Sequence, residues 1–429
     1  LIECKTYRTR SHAEGMVDYT YRTKDEVKKW RENCPIIRLE SYFREKNILT
    51  EKEINKIKEK IDKNINNSYQ KAREAPFPEK STALDFVLSN SDKNNLYKLQ
   101  NSSSSNKNMI QATLDVLDYE MDKNKKIFVL GEGIGRRGGN FSTTVGLFEK
   151  YGQMRVCDTP ICERGFVGLA CGAAMAGARP IVDFMFIDFI NDAFGEIVNQ
   201  ISKIQYMSSG RIKMPIILRG CIGIGHSAAT HHSGSYYSLY SHIPGLIIVV
   251  PSNAYDAKGL FSTALNSENP ILFLEHREII MKKEKIPDEQ YQIPFGQAKI
   301  LIEGSQLTVV SLANMLLIAE EVIHELSDSG KYSIELIDPR CVSPIDYETI
   351  IESVKKTGRL LIIDEAFEPC SIASQISSKI CDIAFDYLDA PIKLLNGSFS
   401  PTPYSPCLEN EIIPSKEIIK QKIVEVINE

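Results

Sequence analysis

Chemistry is first concentrated where a turn delivers a single acid to a glycine-studded apolar run. In Asp158-Thr159-Pro160-Ile161-Cys162-Glu163-Arg164-Gly165-Phe166, a Thr-Pro pair precedes Glu163, and glycines follow at 165, 168, 172 and 177. Each glycine in a helix costs about 1 kcal/mol against alanine. The run therefore predicts a close approach to the backbone, by a second helix or a flat ligand. Without such a neighbour, the same residues describe a packed core helix with Glu163 satisfied at its N-terminus. A second concentration is Gly131-Glu132-Gly133-Ile134-Gly135-Arg136-Arg137-Gly138. Glycines 133, 135 and 138 match G-x-G-x-x-G, and Asp158 stands where a ribose-binding acid belongs, the pattern of a dinucleotide site. Against that pattern, Gly139-Asn140-Phe141-Ser142 is a poor helix start and two arginines interrupt the turn. A third is the crowding of His226, His231, His232 and His242 into seventeen residues. One thiol (Cys221) and no acid lie nearby in sequence, and no zinc-ligand spacing occurs. Glycine and serine around these histidines describe a loop, either carrying an active-site proton donor or holding incidental surface histidines.

The elements that position these groups follow from apolar periodicity. Short apolar strands are expected at 126–130, 180–184, 215–219, 246–250 and 271–275, with helices at 165–178, 192–207 and 254–267, which implies a parallel sheet covered on both faces. After Pro294 the rhythm restarts, with strands at 307–312, 333–338, 359–364 and 392–395 and helices at 315–327, 346–357, 371–387 and 415–427. Ahead of both, residues 1–78 read as a short strand from Leu1 to Tyr7 followed by helices. Thr50-Glu51-Lys52-Glu53 is a capping box, with Ile54, Ile57 and Ile61 at helical spacing behind it and Pro76 and Pro78 closing the helix. The stretch 82–107, with Ser89 to Asn95 and Asn101-Ser102-Ser103-Ser104-Ser105-Asn106, is too polar to offset its ordering entropy and reads as a partly mobile linker.

With 429 residues, 43% hydrophobic and 25% charged, the chain is long enough for two or three domains with ample cores. A net charge of −5 without a basic face argues against nucleic acid. No apolar run reaches the roughly 18 residues of a membrane span. The ten cysteines, at 4, 34, 157, 162, 171, 221, 341, 370, 381 and 407, lack C-x-x-C pairing. Several, such as Cys171 and Cys381, lie in apolar runs, so buried free thiols in a cytoplasmic or organellar-matrix setting are expected. The chain starts at Leu1 on a strand-like run, which suggests that a segment precedes it.

Asp-Thr-Pro-Ile-x-Glu-x-Gly-Phe-x-Gly at 158–168 resembles the signature of the beta subunit of thiamine-diphosphate-dependent decarboxylating components of 2-oxo acid dehydrogenase complexes. Thr6-Tyr7-Arg8-Thr9-Arg10-Ser11-His12, with Asp18, Tyr21-Arg22-Thr23, Trp30 and Pro35-Ile36, is similar to the C-terminal third of the alpha subunit of the same enzymes. The resemblance covers essentially the whole chain apart from the linker. It implies an α/β, transketolase-like architecture: an alpha-like, mostly helical tail at 1–81, the linker at 82–107, a pyrimidine-binding domain at 108–290 and a transketolase C-terminal domain at 291–429.

The resemblance also implies roles. Glu163 would hydrogen-bond the coenzyme's aminopyrimidine ring and favour its imino tautomer, Glu132 would belong to the polar network beside it, and Phe189 would pack on the ring's face. His232-Ser233 followed by His242-Ile243-Pro244-Gly245 matches the family's histidine run and puts the catalytic histidine at His232. Gly234 departs from the usual glutamine, which bears on loop packing and acyl-group choice. His12 would lie beside the diphosphate, with Arg8 ordering its loop, and Ala13 replaces a serine phosphorylated in some relatives. Backbone oxygens around Ala264, Leu265, Ser267 and Asn269 would hold potassium in some relatives. The magnesium motif, Gly-Asp-Gly with a later Asn, does not occur here; the family keeps it in the alpha part, expected upstream or on a separate chain. The implied activity is oxidative decarboxylation of pyruvate or a branched-chain 2-oxo acid, with acyl transfer to a lipoyl-bearing acyltransferase component. The implied assembly is a homodimer of fused chains or a heterotetramer. Other readings are a different transketolase-type thiamine enzyme, against which the alpha-like tail speaks, or a noncatalytic interaction protein retaining the fold.

Overall fold

The computed structural model describes residues 3–13, 15, 19, 21–89 and 103–429, in two compact units, Leu1–Ala83 and Leu84–Glu429. In the first unit the helices are Lys24–Glu32, Pro35–Glu45 and Glu51–Glu74. The capping box forms as expected: the Thr50 side chain accepts from the Glu53 N–H and the Glu53 carboxylate accepts from the Thr50 N–H. Ile54 is buried, whereas Ile57 and Ile61 are exposed. The strand expected over Leu1 to Tyr7 does not form among its described residues, since 3–9 are without regular structure; Leu1, Ile2 and Asp18 lie outside the description. Instead Tyr7 stacks on Trp30 at 5.0 Å, and Arg22 donates to the carbonyls of Arg8 and Arg10, so side chains rather than a ladder hold this segment.

In the second unit the strands are β1 (Ser104–Lys107), β2 (Ile127–Gly131), β3 (Val156–Asp158), β4 (Arg179–Phe186), β5 (Ile217–Ile222), β6 (Ile247–Val249), β7 (Ile271–His276), β8 (Glu284–Pro287), β9 (Lys299–Ile302), β10 (Leu307–Ser311), β11 (Ile334–Asp338), β12 (Cys341–Ser343), β13 (Leu360–Phe367) and β14 (Lys393–Gly397). A seven-stranded sheet runs β12-β6-β7-β5-β4-β2-β3, parallel except at β12. A five-stranded sheet runs β14-β13-β10-β11-β9, parallel except at β9. Helices connect the strands, among them Glu163–Met175 and Ala254–Asn266 in the first half and Ala313–Ser327, Tyr347–Thr357 and Ile372–Ala384 in the second, and Lys416–Asn428 follows the last strand. One apolar core is continuous from Val182 and Leu218 of the first sheet to Val310 and Ile362 of the second.

Four features differ from the sequence expectation. Residues 187–207 are not one helix but a succession of short 3₁₀, α and π turns (Ile187–Ala193, Phe194–Glu196, Ile197–Ile201, Ile204–Met207). Ser104–Lys107, expected within the linker, is β1, antiparallel to β8; residues 90–102 of that linker lie outside the description. β12, expected within the second domain, pairs with β6 and completes the first sheet. Cys171, Cys221 and Cys341 are buried free thiols, but Cys381 is exposed, because the Ile372–Ala384 helix buries Ile376 and Ile380 and turns Cys381 outward.

Candidate active site

Four of the residues singled out in the sequence follow the carboxyl ends of four consecutive strands, the end at which parallel α/β sheets bind ligands. Glu132 follows β2, Glu163 lies just past β3, Phe189 past β4 and His232 past β5. The loop after β2 does not open a helix; the next one starts at Leu147, and Gly133, Gly138 and Gly139 take positive φ. Asp158 is not left for a ribose, because its Oδ1 accepts the Gly135 N–H at 2.9 Å and ties this loop to β3. A dinucleotide site is thereby removed.

Glu163 opens the Glu163–Met175 helix, behind Cys162. One oxygen of the Glu132 carboxylate is buried without a hydrogen-bond partner among the described residues. Burial, and then the charge of Glu163, push the Glu132 carboxyl above its usual range, so the two acids face one another electrostatically. The close neighbour expected along the glycine face is absent among the described residues: added Cβ atoms at Gly168 and Gly172 would meet nothing within 4 Å.

Aromatic rings connect these acids to the histidine loop. The Glu163–Met175 helix packs on the Ile187–Ala193 turn that carries Phe189. The His232 ring stands edge-on to Phe186 at 4.6 Å and to Phe189 at 5.6 Å, and Phe141, from the loop after β2, meets Phe186 at 5.3 Å. Residues the sequence reading passed over hold this arrangement. Both carboxylate oxygens of Asp188 accept the Gly234 N–H, at 3.1 and 3.3 Å. Burial pushes the Asp188 carboxyl up, while that N–H and the charges of His232 and Arg277 pull it back. A Cβ at Gly234 would lie 2.0 Å from the Tyr236 ring and 2.8 Å from Asp188, so the departure from glutamine is what lets the backbone sit on Asp188. The buried Arg277 guanidinium lies 5.2 Å from the Phe186 ring centre and donates to Gly225 O at 3.1 Å. Asp188 was visible only as the neighbour of Phe189, and Arg277 lies two residues past the expected strand at 271–275, where nothing local marked it.

His12 is in the first unit, its Nδ1 3.3 Å from Arg8 Nη1. His226 pairs with Glu278 at 3.3 Å, an acid brought near by folding, while His231 and His242 are exposed. Among the described residues no group of three or more His, Cys, Asp or Glu side chains could hold a metal. Of the stretch considered for potassium, the carbonyls of Leu265 and Ser267 accept from the Arg179 guanidinium, and the Asn269 side chain bonds the backbone of Ser89 at 2.6 and 3.1 Å.

The match to known proteins agrees with this geometry. Residues 105–282 match the transketolase pyrimidine binding domain, 296–419 the transketolase C-terminal domain and 1–81 the dehydrogenase E1 component. The chain is 43% identical over 316 residues to the pyruvate dehydrogenase E1 component subunit beta of Rickettsia conorii, covering 74% of this chain and 97% of that one. The chain belongs to the transketolase-like, thiamine-diphosphate-dependent 2-oxo acid dehydrogenase E1 family. It carries an alpha-like segment ahead of a beta-like body. It is also 39% identical over 333 residues to the acetoin:2,6-dichlorophenolindophenol oxidoreductase subunit beta of Bacillus subtilis, covering 75% of this chain and 97% of that one. A split-gene transketolase, an inactive beta4 tetramer, shares the fold with a TM-score of 0.62 at 20% identity, over 75% of this chain and 98% of that one. No helix among the described residues is long and apolar enough to cross a membrane.

Proposed function

We propose that this E1-family chain works with an alpha part in the oxidative decarboxylation of a 2-oxo acid, pyruvate or a branched-chain one, and passes the acyl group to a lipoyl domain. The observation that carries the reading is the convergence of Glu132, Glu163, Phe189 and His232 at the carboxyl ends of β2, β3, β4 and β5. Similarity to pyruvate dehydrogenase beta subunits favours pyruvate.

The residues fit an aminopyrimidine: the buried Glu132 oxygen lacks a donor among the described residues, the charge of a second acid acts on it, and Phe189 lies on the turn against which the Glu163–Met175 helix packs. Bound thiamine diphosphate supplies the carbon nucleophile and the electron sink for loss of carbon dioxide. Glu163 holds a ring nitrogen and shares its proton, Glu132 offers the acceptor, and Phe189 packs on the ring face. His232 handles protons near the reacting carbon and the lipoyl sulfur, and His12, on the alpha-like segment, is a second proton-handling residue. Magnesium and the diphosphate belong to the alpha part, because no Gly-Asp-Gly motif occurs in this sequence. With Arg179 on two of the four candidate carbonyls, a potassium site keeps only the remainder of that stretch. The open glycine face of the Glu163–Met175 helix suits a partner's backbone, in a homodimer of fused chains or a heterotetramer.

Glu163→Gln in the assembled enzyme tests the reading. Decarboxylation should fall by roughly 100- to 10,000-fold, the usual range for loss of a positioned acid or base, with the melting temperature unchanged. Near-normal turnover would overturn the assignment.

A further inference from the structure

The loop that carries His232 is closed at its base by a buried carboxylate from the C-terminal sheet. Glu365, on β13, is 5% exposed. Its Oε1 accepts the Ser235 hydroxyl at 2.6 Å and its Oε2 faces His276 Nε2 at 2.8 Å. Ile224 and Ser235 are the two feet of the loop, with His232 between them. The proton of His276 is fixed by its surroundings. Its Nδ1 accepts the Glu278 N–H at 3.2 Å, so Nε2 carries the hydrogen and donates it to Glu365. Gly223 permits this arrangement, since a Cβ there would lie 2.0 Å from His276 Nε2.

Between its feet the loop is strained. His226, Ser227 and Ala229 have φ of +56°, +52° and +61°, conformations that persist only when the surroundings over-determine them. Other ties hold the loop as well: Ser227 N–H donates to Glu409 at 3.1 Å, the Thr230 hydroxyl to Thr402 O at 3.0 Å, Gly234 N–H to Asp188, and Gly223 N–H to Gly234 O at 3.4 Å across the base. Burial alone would raise the Glu365 carboxyl, but the facing His276 and the Ser235 hydroxyl hold it below its usual range, as suits a carboxylate that must stay charged to accept from both donors.

We propose that Glu365, oriented by His276, is a positioning residue that clasps the C-terminal foot of the histidine loop through Ser235 and so sets where His232 stands. Its effect on turnover rests on the reading of His232 given above; its effect on the loop does not.

The test is Glu365→Gln in the full chain. An amide has one acceptor oxygen, and turning it to Ser235 points its NH₂ at His276 Nε2–H. His276 cannot relieve this donor–donor clash by moving its proton, because Nδ1 already accepts from Glu278. Backbone hydrogen exchange over residues 224–235, measured without coenzyme, should quicken by about tenfold or more while exchange elsewhere is unchanged. With the alpha part added, kcat should fall by about 10- to 100-fold with little change in KM for the 2-oxo acid. Adding His276→Gln supplies a carbonyl that the new NH₂ can reach, and should recover much of both losses, a coupling that general destabilisation would not produce. Should Glu365→Gln not fold, Ser235→Ala frees one foot and carries the same measurements at smaller amplitude. Unchanged loop exchange, or a double variant worse than the single, would overturn the clasp. Faster exchange with undiminished kcat would overturn its link to His232. If His232→Ala itself stays active, the proposed function fails while the exchange result still decides the clasp.

Discussion

Glu163 and Glu132 share a space that neither fills alone. One Glu132 oxygen has lost water without gaining a donor among the described residues, a cost on the order of 1–3 kcal/mol for a buried polar group, and an aminopyrimidine would offset it. The His232 ring stands edge-on to two phenylalanine rings and, among the described residues, is held through its neighbours rather than by a hydrogen bond of its own. His232→Ala should therefore impair decarboxylation or acyl transfer strongly and shift the melting temperature by no more than a degree or two. An active variant that melts several degrees lower would make the ring a packing residue instead. Glu163, His232 and Phe189 were legible because each sits in a local string of residues that resembles a family motif. Glu365 and His276 were not, since their hydrogen bond joins positions 89 residues apart, and nothing local to either marks it.

At the scale of elements, apolar runs betrayed nearly every core strand, because a strand buried on both faces must be continuously apolar. Polar strands escaped. β1 reads as linker from its serines, yet Asp288 accepts from Ser103 at 2.7 Å and Ser105 at 2.5 Å and pins it beside β8. The expected helix at 192–207 failed because packing overrode its periodicity. Ile187 presses on Gly220, where a Cβ would come within 2.8 Å, and the chain tightens into 3₁₀ and π turns that set Phe189 towards His232. The connection from β11 to β12 carries a pH dependence. Asp338 Oδ1 accepts the Arg340 N–H at 2.8 Å, its Oδ2 has no partner among the described residues, and Arg340 pairs with Asp256 at 2.6 Å. Burial, and then the charge of Asp256, push Asp338 up to about 7, and burial pushes Asp364 up to about 6. Both bind a proton more tightly folded than unfolded, where an aspartate titrates near roughly 4. Their stabilising contribution is thus complete below about pH 4 and is lost as the pH rises through their folded values. Glu365, shifted the other way, acts below this window. Asp338→Asn should flatten the fall in melting temperature between pH 5 and 8, with the variant gaining on the parent at pH 8; parallel profiles would remove Asp338 as a cause.

At the scale of the molecule, an E1 alpha-like segment precedes a beta-like body, and both were legible from motifs at 6–36 and 158–168. What composition could not convey is how the two halves of the body interlock: β12 leaves the C-terminal half to complete the first sheet, and Glu365 and Glu409 reach from that half to the histidine loop. Each of these is a long-range pairing without a local signature. The central claim is that this body supplies the pyrimidine half of a thiamine site, while the alpha part supplies the half that neutralises the diphosphate with magnesium, a large electrostatic contribution. Titration calorimetry of thiamine diphosphate with magnesium, into the chain alone and into the chain with an alpha part bearing the Gly-Asp-Gly motif, tests it most directly. The account predicts weak binding to the chain alone, tightening by at least about 100-fold, or some 2.7 kcal/mol, when the alpha part is present, and decarboxylation only then. Tight, magnesium-dependent binding by the chain alone would contradict it.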